Sequence, residues 1–537
     1  MGISVSLKIK LISLPGLDPL MPRILYLPIG IATVSSLLKQ GSYDVEKEDF
    51  NVTLLNHYSR FFHLRHLFTI LRMRNPGQLS EHIFQQSLNP GFEEYVAEAV
   101  TADAYRNFDV IGLSALSHEA FLFSLLFARW LKRVYPEKMV VLGGAYLSIM
   151  KERFFDRIPY VDFAIHGRGD VPMLQLMNHL SLGSGALEKI DGLVYRDTKG
   201  DTRVNAPCER GLDEEPIPDY EDFDFASYKG YLQPELGKEG FGFSIPYRTS
   251  VGCVRRCNFC DYLCVQGSYR EKNLDKVVGE IVLLAKKYKS AYFHIVDSAI
   301  NNNPGKLREF CVKLIEKGIP LRWHGYMRAT GISRELLELM KKAGAFSLRW
   351  GIESGSTDIL RYIGKGYTRE QAIEALDAAC EIGFKNTILM IIGEPYERID
   401  HVKDSLSLLQ RYIPREQVNY LVYRLKLISH SPLFLDPEKY GIQNLKPLEG
   451  DQELLAFNRM EFSFDETKGL GWKKRLALTN RLMRYFLTRI ERTEKAVGKE
   501  RVAIPVLRVW QRMLSEKSYL LRYLVTLVVK RPMRYVT

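Results

Sequence analysis

The sequence predicts an α/β protein in three parts: a doubly wound N-terminal domain, a partial β/α barrel, and a mainly helical, basic C-terminal region. Three observations predict it. Short apolar, β-branched runs alternate with longer helical patterns over the first 190 residues, the same alternation returns between Arg248 and Ile392, and basic residues accumulate after Tyr440. At 537 residues the chain exceeds what one core serves, since a domain holds ~100–200 residues. The expected boundaries are 1–190, a linker over 191–245, the barrel over 246–440 and the C-terminal region over 441–537.

In the first part the strands are expected at Ile9–Leu14, Asp44–Asp49, Val110–Ser114, Met139–Gly143 and Tyr160–Ile165. Gly30–Lys39 and His118–Val134 read as helices. An insertion over 51–107, aromatic and basic around Phe61, Phe62, His63, Arg65, His66 and Phe68, is too long for a simple connection and reads as a helical cap. Regularity weakens after Gly183, and Pro216-Ile217-Pro218-Asp219 marks an irregular linker. It returns with strands at Arg248–Gly252, Ala291–Val296, Leu321–Tyr326, Phe346–Trp350 and Thr387–Ile392. Helices between them fall at Leu274–Tyr288, Lys306–Lys317, Ser333–Ala343 and Arg369–Ile382. Repeated units of this size form a complete or partial barrel whose working loops sit at the carboxyl ends of the strands.

With 46% hydrophobic and 26% charged residues, the composition excludes a disordered or collagen-like chain. No apolar run reaches the ~20 residues of a membrane span, and the opening residues lack the order of a secretory signal, so a cytoplasmic location is expected. The net charge of +12 is concentrated late: 501–537 holds eight Lys or Arg against the single acidic Glu516. Interleaved with Trp510, Tyr519, Leu520, Leu521, Tyr523, Leu524 and Leu527, these suit a basic amphipathic helix at a membrane surface or acidic partner, or a terminal helix packed on its own domain.

Seven cysteines, three of them within eight residues, fit a metal site in a reducing compartment better than a disulfide framework. Ser250-Val-Gly-Cys253-Val-Arg-Arg-Cys257-Asn-Phe-Cys260 places three thiols on one loop after a barrel strand. Ferredoxin spacings supply four cysteines per cluster, so a trio points to three ligated irons of a [4Fe–4S] cubane and one open iron. A zinc knuckle or packed thiols are the alternatives, with Cys264 available as a fourth ligand or incidental.

This triad, with Phe259 before its last cysteine, resembles the motif of the radical S-adenosylmethionine superfamily. The resemblance implies that the open iron chelates S-adenosylmethionine. It also implies that one electron cleaves that molecule to methionine and a 5′-deoxyadenosyl radical, which abstracts hydrogen from substrate. Three further stretches resemble the family in order: Val296-Asp297-Ser-Ala-Ile-Asn301, Gly351-Ile-Glu353-Ser354-Gly355-Ser-Thr and Met390-Ile-Ile-Gly393-Glu394-Pro395. Together with the triad they imply Phe259, Asp297, Glu353, Ser354 and Gly393 as cofactor contacts. In place of the family's Gly-x-Pro-Gly-Glu the chain has Gly393-Glu394-Pro395-Tyr396-Glu397, which assigns neither Glu394 nor Glu397 a role.

Doubly wound domains bind ligands at the carboxyl edge of their strands. Here the edge carries Pro15-Gly16, Ser114, Ser117, Gly143-Gly144 and His166-Gly167-Arg168-Gly169-Asp170, and its glycines permit close backbone approach. Pro28-Ile-Gly30, Gly112-Leu-Ser114, Leu142-Gly143-Gly144 and Val161–Asp170 resemble the cobalamin-binding domain joined to many radical enzymes, with Gly-Arg-Gly-Asp where Gly-Glu-Gly-Glu is usual. The resemblance covers roughly residues 5–400 and implies Ser114, Ser117, Gly143, Gly144 and Gly167 at the corrinoid. No Asp-x-His-x-x-Gly motif occurs, so cobalamin would sit base-off without a histidine ligand.

The resemblance implies a cobalamin-dependent radical enzyme that methylates an unactivated carbon. The alternatives are the same architecture performing cyclisation, rearrangement or carbon–carbon coupling, or a corrinoid-free radical enzyme. A methylthiotransferase would need a second three-cysteine cluster, and Cys208 is the only cysteine before Cys253. Expected partners are a one-electron reductant of flavodoxin or ferredoxin type and a small-molecule, lipid or peptide substrate, with membrane-peripheral contact through the basic tail and no nucleic acid.

Overall fold

The computed structural model describes residues 7–14, 26–57, 69, 76–84, 89–100, 102–152, 154–229, 243–447 and 462–497. Pro15, Gly16, the aromatic and basic residues of 61–68 and the tail 501–537 lie outside the described residues. The chain divides into two compact units, the first built mainly from 1–232 and the second mainly from 267–448 and 460–537 with 233–263.

In the first unit β1 (Lys8–Ser13), β2 (Asp44–Asp49), β3 (Val110–Ser114), β4 (Met139–Gly143) and β5 (Phe163–Ile165) run parallel. Strands β6 (Leu193–Arg196) and β7 (Thr202–Val204) extend the sheet antiparallel, in the order β2-β1-β3-β4-β5-β6-β7. These last two correct the expectation that an irregular linker begins at 191. They are four and three residues long, too short to show a periodicity. The chain reverses its direction across the sheet between β1 and β3, which makes the carboxyl ends of these strands a topological switch point.

The helix His118–Val134 is buried on every side from Ala120 to Leu131, as a helix covered on both faces must be. One cover is the sheet. The other is the 51–107 insertion, whose helices Pro76–Phe84 and Pro90–Ala99 contribute Leu79, Ile83, Phe92, Tyr95 and Val96 to the same core as Phe121, Phe123 and Phe127. The insertion thus serves as a lid on an apolar helix. Beyond β7, Asp219 and Asp222 receive the buried Lys47 ammonium of β2 at 2.9 and 2.8 Å, and Lys39 meets Asp219 at 2.8 Å. A fully buried ammonium is tolerable only when paired this way, so the stretch read as linker is tied to the sheet.

In the second unit six parallel strands lie in the order β15-β14-β13-β12-β11-β8. They are β8 (Ile245–Tyr247), β11 (Tyr292–Ile295), β12 (Arg322–Met327), β13 (Ala345–Glu353), β14 (Lys385–Ile392) and β15 (Val418–Arg424). Strands β8 and β15 do not pair, so the barrel is partial. Helices Leu274–Tyr288, Pro304–Glu316, Arg334–Lys342, Arg369–Glu381 and Ile399–Tyr412 return the chain each time. The first four begin at Asn273, Asn303, Ser333 and Thr368, whose side chains accept the free amides of the first turn.

Two expectations change here. The stretch expected as the first barrel strand, Arg248–Gly252, instead contains β9 (Ser250–Val251), which pairs antiparallel with β10 (Arg270–Glu271) in a separate ribbon. After Tyr440 the chain does not turn directly helical. It forms the hairpin of β16 (Ile442–Pro447) and β17 (Phe462–Glu466) before the long helix Trp472–Ala496. Among the described residues no helix is long and apolar enough to cross a membrane.

Candidate active site

The loop that carries Cys253, Cys257 and Cys260 hangs from one buried carboxylate. Asp297, just past β11, accepts the amides of Thr249 and Ser250 at 2.8 and 3.1 Å and both of their hydroxyls, with Ser250 Oγ at 2.7 Å. Its capacity is filled by these four donors, so Asp297, expected as a cofactor contact, instead positions the loop. The following residues add a second hold. Ser298 Oγ donates to the Gly252 carbonyl at 2.7 Å, Asn302 Nδ2 donates to Ser298 Oγ at 2.9 Å, and Cys253 Sγ faces Asn302 Oδ1 at 3.9 Å. Gly252 lies at φ +74, where a Cβ would fall on the Ser268 carbonyl oxygen, so only glycine serves at this corner.

The far side of the loop is fastened through buried Asn258, whose amide donates to Ile363 O at 3.1 Å and whose carbonyl accepts Leu433 N at 2.8 Å. Phe259 packs against a cluster of buried residues around Leu427, Leu433, Phe462 and Phe464. The three cysteines are half-buried, whereas Cys264 is exposed. Burial raises the Cys257 thiol, opposed by the Lys365 ammonium. Burial likewise pushes Cys260 to about 12, opposed by the Tyr262 amide, which donates to its sulfur at 3.4 Å. Among the described residues no three His, Cys, Asp or Glu side chains converge to hold a single metal ion.

Lys365 is the residue that motif reading missed. It is buried, bonds Glu353 Oε1 at 3.3 Å and acts electrostatically on Cys257. Its signal was Gly364-Lys365-Gly366, two glycines at φ +78 and +77 that bend the chain sharply around one lysine. Arg328 is buried and acts on Cys253 and Cys257 as well, so two cations oppose the burial that keeps the Cys257 thiol raised. Glu353 itself stands at φ +68, at the end of β13.

The other expected contacts have other work. Ser354 is fully buried, meets Ser405 Oγ at 3.2 Å and accepts the Ser356 amide at 3.2 Å, so its hydroxyl is spent on the helix Ile399–Tyr412 and its own turn. Gly393 is at φ +112, and a Cβ there would come within 2.8 Å of Thr479 on the long helix. In the first unit Ser117 caps the helix His118–Val134 by accepting the Ala120 amide at 3.2 Å. Ser114 and Gly143 stand opposite each other at the ends of β3 and β4. Gly143 has open space where a Cβ would go, the nearest atom being Ile165 O at 4.0 Å. Gly144 is at φ +103 against Ala115, and Gly167 is at φ +78 with its amide on Ser148 Oγ at 3.2 Å. Arg168 grips Asp170 with two bonds of 2.7 and 2.8 Å, so the Gly-Arg-Gly-Asp variant neutralises itself.

Residues 247–409 match the family model of the radical SAM superfamily. An uncharacterised methyltransferase of Pyrococcus horikoshii is 26% identical over 56% of this chain and 64% of its own length. The anaerobic magnesium-protoporphyrin IX monomethyl ester cyclase of Rubrivivax gelatinosus is 26% identical over 54% and 52%. The match thus spans between half and two thirds of these relatives. Among solved structures, the cobalamin-dependent S-adenosylmethionine radical enzyme OxsB superposes with TM-score 0.64 at 17% identity, over 95% of this chain and 76% of that one. The methyltransferase TsrM of Kitasatospora setae gives 0.59 at 15% identity, over 90% and 89%. Residues 247–409 thus carry the radical SAM family match, and over at least 90% of its length the chain shares the fold of OxsB and TsrM.

Proposed function

We propose that this chain is a cobalamin-dependent radical enzyme that transfers a methyl group to an unactivated carbon. The observation that carries the reading is the cysteine loop: three half-buried thiols held from both sides, in a cationic setting, at the carboxyl edge of a parallel barrel. A cubane takes each thiol at a different iron, and a trio leaves the fourth iron open. Cys253, Cys257 and Cys260 would hold a [4Fe–4S] cluster, with Lys365 and Arg328 balancing its charge. When bound, the cluster and S-adenosylmethionine supply the 5′-deoxyadenosyl radical, and cobalamin supplies the methyl group.

In the first unit Gly143 and Gly167 leave backbone without side chains at the strand ends, the approach a large flat ligand needs, while Gly144 lets the turn pack against Ala115. His166 Nε2 is held by Asn205 O at 2.9 Å. Carbon–carbon coupling or cyclisation is the second reading, favoured by the likeness to the Rubrivivax gelatinosus cyclase. A flavodoxin- or ferredoxin-type reductant would supply the electron, and the basic tail would give membrane-peripheral contact.

The test is Cys257→Ala. The variant should fold but lose iron and 5′-deoxyadenosine formation together, and normal product formation in it would defeat the radical reading.

A further inference from the structure

We propose that the Glu394 carboxyl is the binding group for a protonated amine carried by a small molecule at the barrel mouth, an inference that rests on the radical reading for the identity of that molecule. Strand β14 ends at Ile392, and the turn after it bends at Gly393 and again at Tyr396, which takes φ +61 where the family has glycine. The turn buries Glu394 to 1% exposure, and neither carboxyl oxygen has a hydrogen-bond partner. Buried polar groups are almost always paired, so a carboxyl with two empty oxygens asks for a missing donor.

The surrounding groups do not fill it. Glu397, fully buried on the same turn, accepts the Gly393 amide at 2.6 Å through Oε2 and leaves Oε1 empty. Arg475 of the long helix is the cation at hand, but its terminal nitrogens bond the backbone carbonyls of Glu397, at 3.0 Å, and of Glu394, and Glu466 Oε1 at 3.2 Å, while its Nε, also without a partner, makes no bond to Glu394. Glu466 is itself held by Arg398 at 2.8 Å and by the Tyr396 amide at 2.8 Å. Glu353 at the end of β13 acts on Glu394 and is paired with Lys365. Tyr362 also faces Glu394, with its hydroxyl already donated to Tyr440 O at 2.9 Å. Four carboxyls, Glu353, Glu394, Glu397 and Glu466, therefore share three cations, Lys365, Arg398 and Arg475, and Glu394 is the one with no hydrogen bond at either oxygen.

An ammonium fits, because it donates up to three hydrogens to oxygens that lack them. Without a ligand, burial and Glu397 hold the Glu394 carboxyl well above the usual carboxylate range, so it waits protonated. On binding, the ammonium displaces that proton to solvent and an ion pair replaces the neutral acid, which conserves charge. The amine has two sources with the same chemistry: the α-ammonium of S-adenosylmethionine, or an amino group on the substrate.

The experiment compares the reconstituted wild type with Glu394→Gln, and with Glu394→Asp as a second variant that keeps the acid but shortens its reach. Iron content is measured on each. The probes are S-adenosylmethionine and n-butylammonium, with 1-butanol as the neutral control. Binding is followed by calorimetry, and proton release by an indicator dye in weak buffer. The wild type should bind one amine probe with release of a proton, and both variants should weaken it about tenfold or more, the scale of a charge-assisted hydrogen bond. Weakened S-adenosylmethionine identifies the cofactor's ammonium as the occupant. Weakened n-butylammonium alone identifies a substrate amine. Equal affinity for both probes in wild type and Glu394→Gln overturns the proposal and leaves a buried structural acid. A wild type that assembles no cluster would defeat the radical reading, whereas the n-butylammonium arm would still report on Glu394.

Discussion

Asp297 receives both the backbone amide and the hydroxyl of Ser250, so a single carboxylate fixes the direction in which the cysteine loop leaves the ribbon. Thr249 makes the same pair of bonds to it. Asp297→Asn keeps the shape but loses the charge and offers only one accepting oxygen to four donors. The variant should lose about 2 kcal/mol of stability, the worth of a hydrogen bond to a charged group, and bind less iron on reconstitution. Thermal unfolding and iron analysis check both. Full iron occupancy at unchanged stability would mean that the loop is held elsewhere.

Gly143 and Gly144 are neighbours with opposite demands, and they separate ligand binding from folding. Gly144→Ala places a side chain at φ +103 and onto the Ala115 carbonyl, which should cost about 1–3 kcal/mol from backbone strain alone. Gly143→Leu meets nothing closer than 4.0 Å at its Cβ and should fold normally. Its side chain would enter the space proposed for the corrinoid and lower the cobalamin bound per chain. Unchanged stoichiometry in Gly143→Leu, measured by the corrinoid absorbance, would move the corrinoid away from this strand end.

Burial raises Glu397 to about 7, against an ordinary value of 4.5. A carboxyl raised in the folded state contributes stability that is present at low pH and lost as pH climbs from 4.5 to 7. At ~1.4 kcal/mol per pH unit the loss is about 3 kcal/mol. Glu397→Gln keeps an oxygen for the Gly393 amide but has no proton to lose. Its stability should change less between pH 5 and 8, as read from chemical denaturation, and it should exceed wild type at pH 8. Parallel stability profiles for the two proteins would show that Glu397 does not titrate in this range.

The tail from Arg501 carries a local charge of +7, eight basic residues less Glu516. At roughly 1 kcal/mol per basic side chain near an anionic surface, it would hold the protein on anionic vesicles. Cosedimentation should fall steeply with salt as the Debye length shrinks from ~10 Å at 0.1 M to ~3 Å at 1 M. Truncation after Glu500 should abolish vesicle binding and spare iron content. A full-length protein that ignores vesicles at low salt has no such contact.

Sequence reading was sharpest where a residue's surroundings impose one pattern. Strands Val110–Ser114 and Met139–Gly143 are apolar because helices cover both faces, and their bounds were legible to the residue. The helices His118–Val134 and Leu274–Tyr288 were equally plain. What escaped was short or mixed. The strand Ile245–Tyr247 has proline at its centre, which argues against a strand except at an edge, where it lies. Strand β15 was missed because its half-buried tyrosines and polar residues, from Val418 to Arg424, lack the all-apolar look of a central strand. At the site, the cysteine spacing was legible because its chemistry is local. The four donors on Asp297 come from residues nearly fifty positions away, and the pairing of Lys365 with Glu353 and the empty oxygens of Glu394 follow from how the turns fold, which no local pattern shows.

The two outer strands of the seven-stranded sheet bear on how this protein behaves at high concentration. An unpaired strand offers its amides and carbonyls to any passing chain and so seeds aggregation. One margin, β2, turns Asp44, Glu46 and Glu48 outward, and these like charges repel an identical strand laid alongside. The other, β7, is only three residues long and includes Arg203. The antiparallel strands β6 and β7 thereby move the exposed margin away from the apolar Phe163–Ile165, which would otherwise have been an adhesive border.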